Sequence, residues 1–232
     1  MAGVLLALDL ETMDEAVRVA RTVKPHVAGF KVGLGLLHGE PESIERVVEL
    51  GLPVFVDAKL HDIPAQVEQA AKQLGRRGAR WVTAHVTGGA AMLEAALIGL
   101  AEGSGGRAGV LGVSILTSLD QADLVAIGMN GSTGAAVERL VRIAAEVPVE
   151  GVVCSAHEVS IARQIGGDLL IVTPGIRPSS AENHDQKRTA TVETAVRAGA
   201  DYLVIGRAIS SAADPAGVAA AIAEEMASST VV

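Results

Sequence analysis

Aromatic side chains are scarce in this 232-residue chain: one Trp, one Tyr and two Phe. A core must therefore be built from Val, Ile, Leu and Ala, a composition that suits a parallel sheet covered by helices. Cysteine occurs once, at Cys154, which excludes an intrachain disulfide framework and agrees with a reducing, cytoplasmic setting. Following Val152-Val153, Cys154 reads as a small apolar filler. Positive charge is in deficit, with 19 Lys and Arg against 27 Asp and Glu and a net charge of −8, which argues against a nucleic-acid partner. No apolar run reaches the roughly 18–20 residues of a membrane span. The start, Met1-Ala2-Gly3-Val4, lacks the charged region of a secretory signal. A P-loop and a Gly-x-Gly-x-x-Gly motif are also missing, so neither supports ATP or a dinucleotide. His26, His38, His157 and His184 show no metal-ligand spacing.

What is present is alternation. Eight short apolar runs recur: Val4–Leu8, Val27–Val32, Pro53–Val56, Arg80–Ala84, Ala108–Leu116, Glu150–Cys154, Asp168–Val172 and Asp201–Ile205. Between them lie stretches with helical spacing. Examples are Val67, Ala70, Ala71 and Leu74; Met92, Ala95, Ala96 and Gly99; and Val137, Leu140, Val141 and Ala144. Val218, Ala221, Ile222 and Met226 follow the pattern less regularly. Eight strand–helix units predict a single (β/α)8 TIM barrel over residues 1–232, ahead of an open doubly wound sheet. Gly103-Ser104-Gly105-Gly106 reads as a flexible turn before the fifth strand, not as a domain boundary.

The polar residues fall where a barrel keeps its chemistry, at the C-terminal ends of its strands. Asp9 ends the first strand, Lys31 the second, Asp57 and Lys59 the third, His85 the fourth and Thr117 the fifth, and Arg207 follows the eighth. The densest cluster is Asp57-Ala58-Lys59-Leu60-His61-Asp62. Side-chain alternation along a strand predicts Asp57 and Lys59 on one side. Asp62 follows in a turn before Ile63-Pro64 opens a helix. Only five lysines occur in the chain, and two of them, Lys31 and Lys59, sit at strand ends beside these aspartates. Three readings stay open: a proton-donating charge array, an ion-pair network that only ties strands together, or a Mg²⁺ site on Asp9, Asp57 and Asp62. The interleaved lysines weaken the third. His61 and His85 read as hydrogen-bonded structural residues.

A second constellation lies near the other end. Thr173-Pro174-Gly175-Ile176-Arg177-Pro178 follows the seventh strand and leads into a polar stretch reaching Lys187. That is long for a βα loop and suits a lid. Gly206-Arg207 follows the eighth strand. The loops after strands seven and eight commonly bind phosphate, with the glycine admitting a close backbone approach and the arginine a bidentate donor.

Taken together, these segments resemble the orotidine 5′-phosphate decarboxylase family over essentially the whole chain. The resemblance is carried by Leu6-Ala7-Leu8-Asp9, Phe30-Lys31-Val32-Gly33, Asp57 to Pro64, Leu116-Thr117-Ser118, Thr173 to Pro178, Asp185-Gln186-Lys187-Arg188 and Ile205-Gly206-Arg207. It implies metal-free, cofactor-free conversion of orotidine 5′-phosphate to uridine 5′-phosphate by a homodimeric barrel with shared active sites. Lys59 would be the proton donor to C6, and Asp57 would face the substrate carboxylate. Lys31 and Asp62 would complete the charge array, Asp62 reaching into the partner's site. Asp9 and Lys31 would contact the ribose, and Thr117 or Ser118 the base. Gln186, Arg207 and the Gly206 backbone would hold the phosphate, and Arg177 would belong to the closing loop. Ile63, Pro64, Gln66 and Pro174 are counted with the substrate-binding residues. One departure stands out: Ala65 and Gln66 occupy places where the family reads Asn, or a similar residue, and then Thr. The alternatives are a Mg²⁺-dependent 3-keto-gulonate-phosphate decarboxylase or hexulose-phosphate synthase of the same wider group, and a catalytically silent phosphate-binding barrel.

Overall fold

The computed structural model describes residues 3–177 and 190–229. Eight parallel strands close into one barrel, each bonded to the next and β8 to β1. The strands are β1 (Gly3–Ala7), β2 (Gly29–Val32), β3 (Val54–Leu60), β4 (Trp81–His85), β5 (Gly109–Val113), β6 (Gly151–Val153), β7 (Leu170–Thr173) and β8 (Tyr202–Ile205). Every apolar run anticipated from sequence became one of them. The main outer helices are α1 (Met13–Val23), α2 (Leu34–Gly39), α3 (Ser43–Val48), α4 (Pro64–Arg76), α5 (Ala90–Ser104), α6 (Gln121–Ala126), α7 (Thr133–Glu146), α8 (Val159–Gly166), α9 (Val192–Arg197), α10 (Arg207–Ser210) and α11 (Pro215–Ser229).

Local chemistry starts these helices. Thr12, Ser132 and Thr191 accept N–H bonds from the first turns of α1, α7 and α9. Asp120 and Asp123 form a reciprocal capping box on α6. Pro64, whose missing N–H costs nothing at a helix start, opens α4.

Two apolar cores result. The larger lies between barrel and helices. The smaller fills the barrel interior with Leu5, Ala7, Phe55, Trp81, Leu111, Val172 and Val204. The helical patterns of α5 and α7 are buried throughout. In α11 the inward position is Ala219, while Ala221 is exposed, which is why its spacing looked irregular. The supposed turn at Gly103 is also corrected. Gly103 and Ser104 belong to α5, and the chain leaves the helix only at Gly105, in the left-handed region with φ 65°. Gly99 and Gly103 are needed inside the helix because a Cβ at either would strike the α4 backbone at Glu68 or Lys72. Among the described residues no helix is long and apolar enough to cross a membrane.

Candidate active site

The polar strand ends converge on one pocket at the C-terminal mouth of the barrel. Asp9, Lys31, Asp57 and Lys59 line one side, Thr117 and Pro174 another, and Arg177, Gly206 and Arg207 a third. Apolar walls come from Phe55, Val113, Ile115 and Val153, with Cys154 among them. The buried thiol of Cys154 thus packs as expected, but beside the site.

The charged side is a chain of alternating sign. Lys31 Nζ donates to Asp9 Oδ1 at 3.0 Å and stands 3.9 Å from Asp57 Oδ2. Lys59 Nζ donates to that same Asp57 oxygen at 2.7 Å. Lys31 is buried, so its charge must be compensated where it stands, and the two aspartates do so. Gly33 makes room for this, because a Cβ there would lie 2.6 Å from Asp9 Oδ1 and 2.9 Å from Lys31 Nζ.

Asp57 and Lys59 do share a side, but not by regular alternation. On β3 and β4, Val56 pairs with Val82 and Leu60 with Ala84, so Asp57-Ala58-Lys59 all face the single residue Thr83. This bulge puts Lys59 at φ 48°, the one left-handed non-glycine residue among those described. Thr83 absorbs the irregularity. Its hydroxyl accepts the Lys59 N–H at 2.8 Å and donates to Asp57 Oδ1 at 3.0 Å. Sequence reasoning missed Thr83. The signal was there: two residues before His85 and two after Trp81, it shares their face of β4.

His61 and His85 form a tilted ring pair, centroids 5.4 Å apart, at the edge of the cluster. Burial, then the neighbouring His61 and Lys59 charges, push the His85 pKa below the ordinary imidazole value.

Other expected residues are not in this pocket. Asp62, Ile63, Pro64 and Gln66 are exposed on the segment that leaves β3 and begins α4. Asp62 Oδ1 accepts the Ile63 N–H at 2.7 Å, and Ile63 is 64 % exposed. Of the pair Thr117-Ser118, Thr117 lines the pocket and Ser118 is exposed. The long loop after β7 is pinned at its base: Arg177 N–H donates to Ala190 O at 2.9 Å and Ala190 N–H to Gly175 O at 3.2 Å. Gln186 and the remainder of that loop lie outside the described residues.

Geometry of this kind can place two ammonium groups and two guanidinium groups around one bound anion. A family model described as orotidine 5′-phosphate decarboxylase / HUMPS family matches residues 3–222. The orotidine 5′-phosphate decarboxylase of Anaeromyxobacter sp. (strain K) is 48% identical over 219 residues, covering 94% of this chain and 95% of that protein. The protein of the same name from Thermobifida fusca (strain YX) is 42% identical over 228 residues, 97% of this chain and 96% of the other. Among solved structures, orotidine 5′-phosphate decarboxylase from Lactobacillus acidophilus superposes with a TM-score of 0.85 at 32% identity, covering 97% of this chain and 99% of that one. Matched from its first described strand into its last helix, and carrying the mouth residues in order, the chain belongs to the orotidine 5′-phosphate decarboxylase / HUMPS family.

Proposed function

We propose that this protein decarboxylates orotidine 5′-phosphate to uridine 5′-phosphate in pyrimidine biosynthesis, without a metal, with Lys59 as the proton donor. The observation that carries this reading is the Lys59 ammonium, held 2.7 Å from Asp57 Oδ2 on the pocket wall. Relatives bearing the decarboxylase name, up to 48% identical over most of their length, support the reaction class.

The chemistry demands such a group. Breaking the bond from C6 to the carboxylate leaves an electron pair on a carbon with no adjacent sink. Stabilisation must be electrostatic and already in place. The Lys59 ammonium lies where that charge develops, then passes its proton to C6 as carbon dioxide leaves. Asp57 faces the departing carboxylate, while Lys31 neutralises Asp57 from the other side and, with Asp9, contacts the ribose. Thr117 and Pro174 flank the base. Arg207, the Gly206 backbone and Gln186 hold the phosphate, and Arg177 stands at the root of the closing loop. Phosphate binding, remote from C6, supplies energy that positions the base for reaction. Lys31 and Lys59 place two ammonium groups 3.9 and 2.7 Å from Asp57 Oδ2, where they would compete with a divalent cation, which supports a metal-free route.

The protein acts as a homodimer in this reading, with each site completed by its partner. Support comes from two exposed apolar residues at the mouth, Leu34 at 45 % and Ile63 at 64 %, at the starts of the helices α2 and α4 that follow adjacent strands. Asp62 and Gln66 flank Ile63 and would reach the neighbouring site, Gln66 serving where the family uses threonine. A cytoplasmic setting fits the single, reduced cysteine.

The test is to mix purified protein with orotidine 5′-phosphate and a chelator and follow loss of the orotate chromophore. Turnover is expected in the chelator. No turnover, or turnover only once Mg²⁺ is restored, would instead support the sugar-phosphate chemistry of the wider family. Dilution through the dimer dissociation range should lower the specific activity, and a fully active monomer would remove the shared site.

A further inference from the structure

Thr83 is a polar side chain that touches both halves of the reactive pair without lining the pocket. It is fully buried, with 0% of its surface exposed, and does not line the cavity. Its surroundings explain what it does there. Three residues of β3, Asp57-Ala58-Lys59, stand opposite this single residue of β4. The Lys59 N–H, turned by its left-handed backbone at φ 48°, bonds to the Thr83 hydroxyl instead of a strand carbonyl. A buried N–H left without a partner is unfavourable, and a non-glycine residue in this region persists only where its neighbours hold it.

The direction of the hydrogen bonds is fixed by elementary bookkeeping of protons. The amide of Lys59 has only a proton to give, so the Thr83 oxygen accepts there at 2.8 Å. The single hydroxyl proton is then free to point at Asp57 Oδ1, 3.0 Å away. With Oδ1 occupied, Asp57 turns Oδ2 toward both ammonium groups, Lys59 at 2.7 Å and Lys31 at 3.9 Å. One hydroxyl therefore sets the backbone that carries Lys59 and the rotation of the carboxylate that faces it.

We propose that Thr83 is a positioning residue for the decarboxylation, its hydroxyl clamping the Asp57 carboxylate to the Lys59 main chain so that ammonium and carboxylate meet the substrate in fixed register. The inference rests on the decarboxylase reading given above. Thr83 touches no substrate atom, so its effect belongs to the chemical step and not to binding.

Two substitutions separate hydroxyl from shape. Thr83→Val keeps the branched outline and removes the hydroxyl; Thr83→Ser keeps the hydroxyl and removes a methyl. With active sites counted by uridine 5′-phosphate titration, T83V should lose about ten-fold or more in kcat, the order expected of a misplaced reacting group. Its KM and its affinity for uridine 5′-phosphate should stay within about three-fold of the parent, because uniform binding is untouched. T83S should recover kcat to within about three-fold of the parent. A T83V enzyme at parental kcat, or T83S and T83V equally impaired, overturns the proposal, the second result leaving Thr83 as packing alone. Should T83V fail to fold, Thr83→Cys replaces it, since a thiol is a weak donor and acceptor; parental kcat in T83C would be equally fatal. A parent enzyme inert toward orotidine 5′-phosphate speaks against the decarboxylase reading and not against Thr83. Crystal structures of parent and variant then decide: the Lys59–Asp57 contact should be lost or rotated without the hydroxyl, and its retention overturns the clamp.

Discussion

The two ends of the barrel both carry buried or half-buried charge, and they handle it differently. At the N-terminal end, Arg80 grips Glu150 with both of its terminal nitrogens, and Trp81 Nε1 donates to Glu150 Oε1 at 2.9 Å. The Arg80 guanidinium also covers the Trp81 ring at 4.7 Å, and Trp81 packs on Tyr202. Nearby, Arg163 donates to the carbonyls of Gly167, Leu169 and Gly199 and to Asp201. Asp201 in turn accepts the Ile171 N–H at 2.7 Å. At the C-terminal end the cations paired with Asp9 and Asp57 are the lysines Lys31 and Lys59, with Arg177 and Arg207 across the pocket. An ammonium has three donors, yet among the described residues Lys59 Nζ has one carboxylate partner and Lys31 Nζ has two, the second at 3.9 Å. Planar arginines in bidentate pairs give fixed geometry, whereas lysines act as point charges with donors to spare. At the N-terminal end Arg80 and Glu150 hold each other in a two-pronged pair; at the C-terminal end the lysines face a pocket.

Lys59→Ala tests this division most severely. Turnover should fall by roughly 10³-fold or more, since a preorganised charge at the reacting atom is removed. The circular dichroism spectrum and thermal midpoint should stay close to the parent's. Near-parental rates would take Lys59 out of the chemistry, and a collapsed fold would make the upper array structural after all.

Glu150→Ala asks the opposite question. It strands Arg80 and the Trp81 N–H, at a cost of about 1–3 kcal/mol in unfolding free energy, towards the lower figure because the pair is partly exposed and screened. The kcat of the folded variant should match the parent's. Activity lost at temperatures where the variant is folded would show that the two ends are coupled.

Gly33→Ala then probes how tightly the upper array is packed. The backbone at φ −89° suits alanine, so no strain is introduced. The new Cβ nevertheless meets Asp9 Oδ1 and Lys31 Nζ, both flexible side-chain ends that must move aside. An approximately ten-fold loss in kcat/KM with unchanged stability is expected, the reading of a misaligned site in a sound fold. A silent substitution would mean that the Asp9–Lys31 contact contributes little.

Much of this architecture was legible beforehand because it depends on local periodicity. Eight apolar runs announced eight strands, and Asp9, Lys31, Asp57, Thr117 and Arg207 at their ends announced a shared mouth. What stayed hidden depends on contacts between segments distant in sequence. Alternation alone put Lys59 on the Asp57 side for the wrong local reason, since a bulge cannot be read from one strand without its neighbour. Thr83 looked like an ordinary strand threonine, because its meaning comes from the two residues it meets 24 and 26 positions away. Gly103 looked like a turn because glycine punctuates loops, while here its bare Cα lets α4 and α5 touch. The run from Asp62 to Gln66 is exposed outside the pocket, and the role proposed for it depends on a second subunit, which no single chain displays.

Acid gives the smallest effect and separates the two ends by pH window. His85 at the mouth and Glu150 at the base both have pKa values below their ordinary ones. Burial, with help from His61 and Lys59, disfavours the charged imidazole. At Glu150 burial alone would raise the value, but the bonds from Arg80 and Trp81 more than offset it. The sign is the same for both. Each group binds its proton more weakly folded than unfolded, so the unfolded chain takes up more protons as pH falls and stability declines. The windows differ: His85 contributes from its ordinary value of 6.5 downward, Glu150 only from 4.5 downward. Denaturant midpoints measured from pH 7.5 to 4 should therefore fall first through the His85 window. His85→Asn should flatten the slope between pH 6.5 and the onset of the carboxylate region, leaving the steeper acid limb intact. Glu150→Gln should do the reverse. An unchanged upper slope in H85N would mean that His85 does not set the pH response of the mouth, and would remove pH as a way of telling the two ends apart.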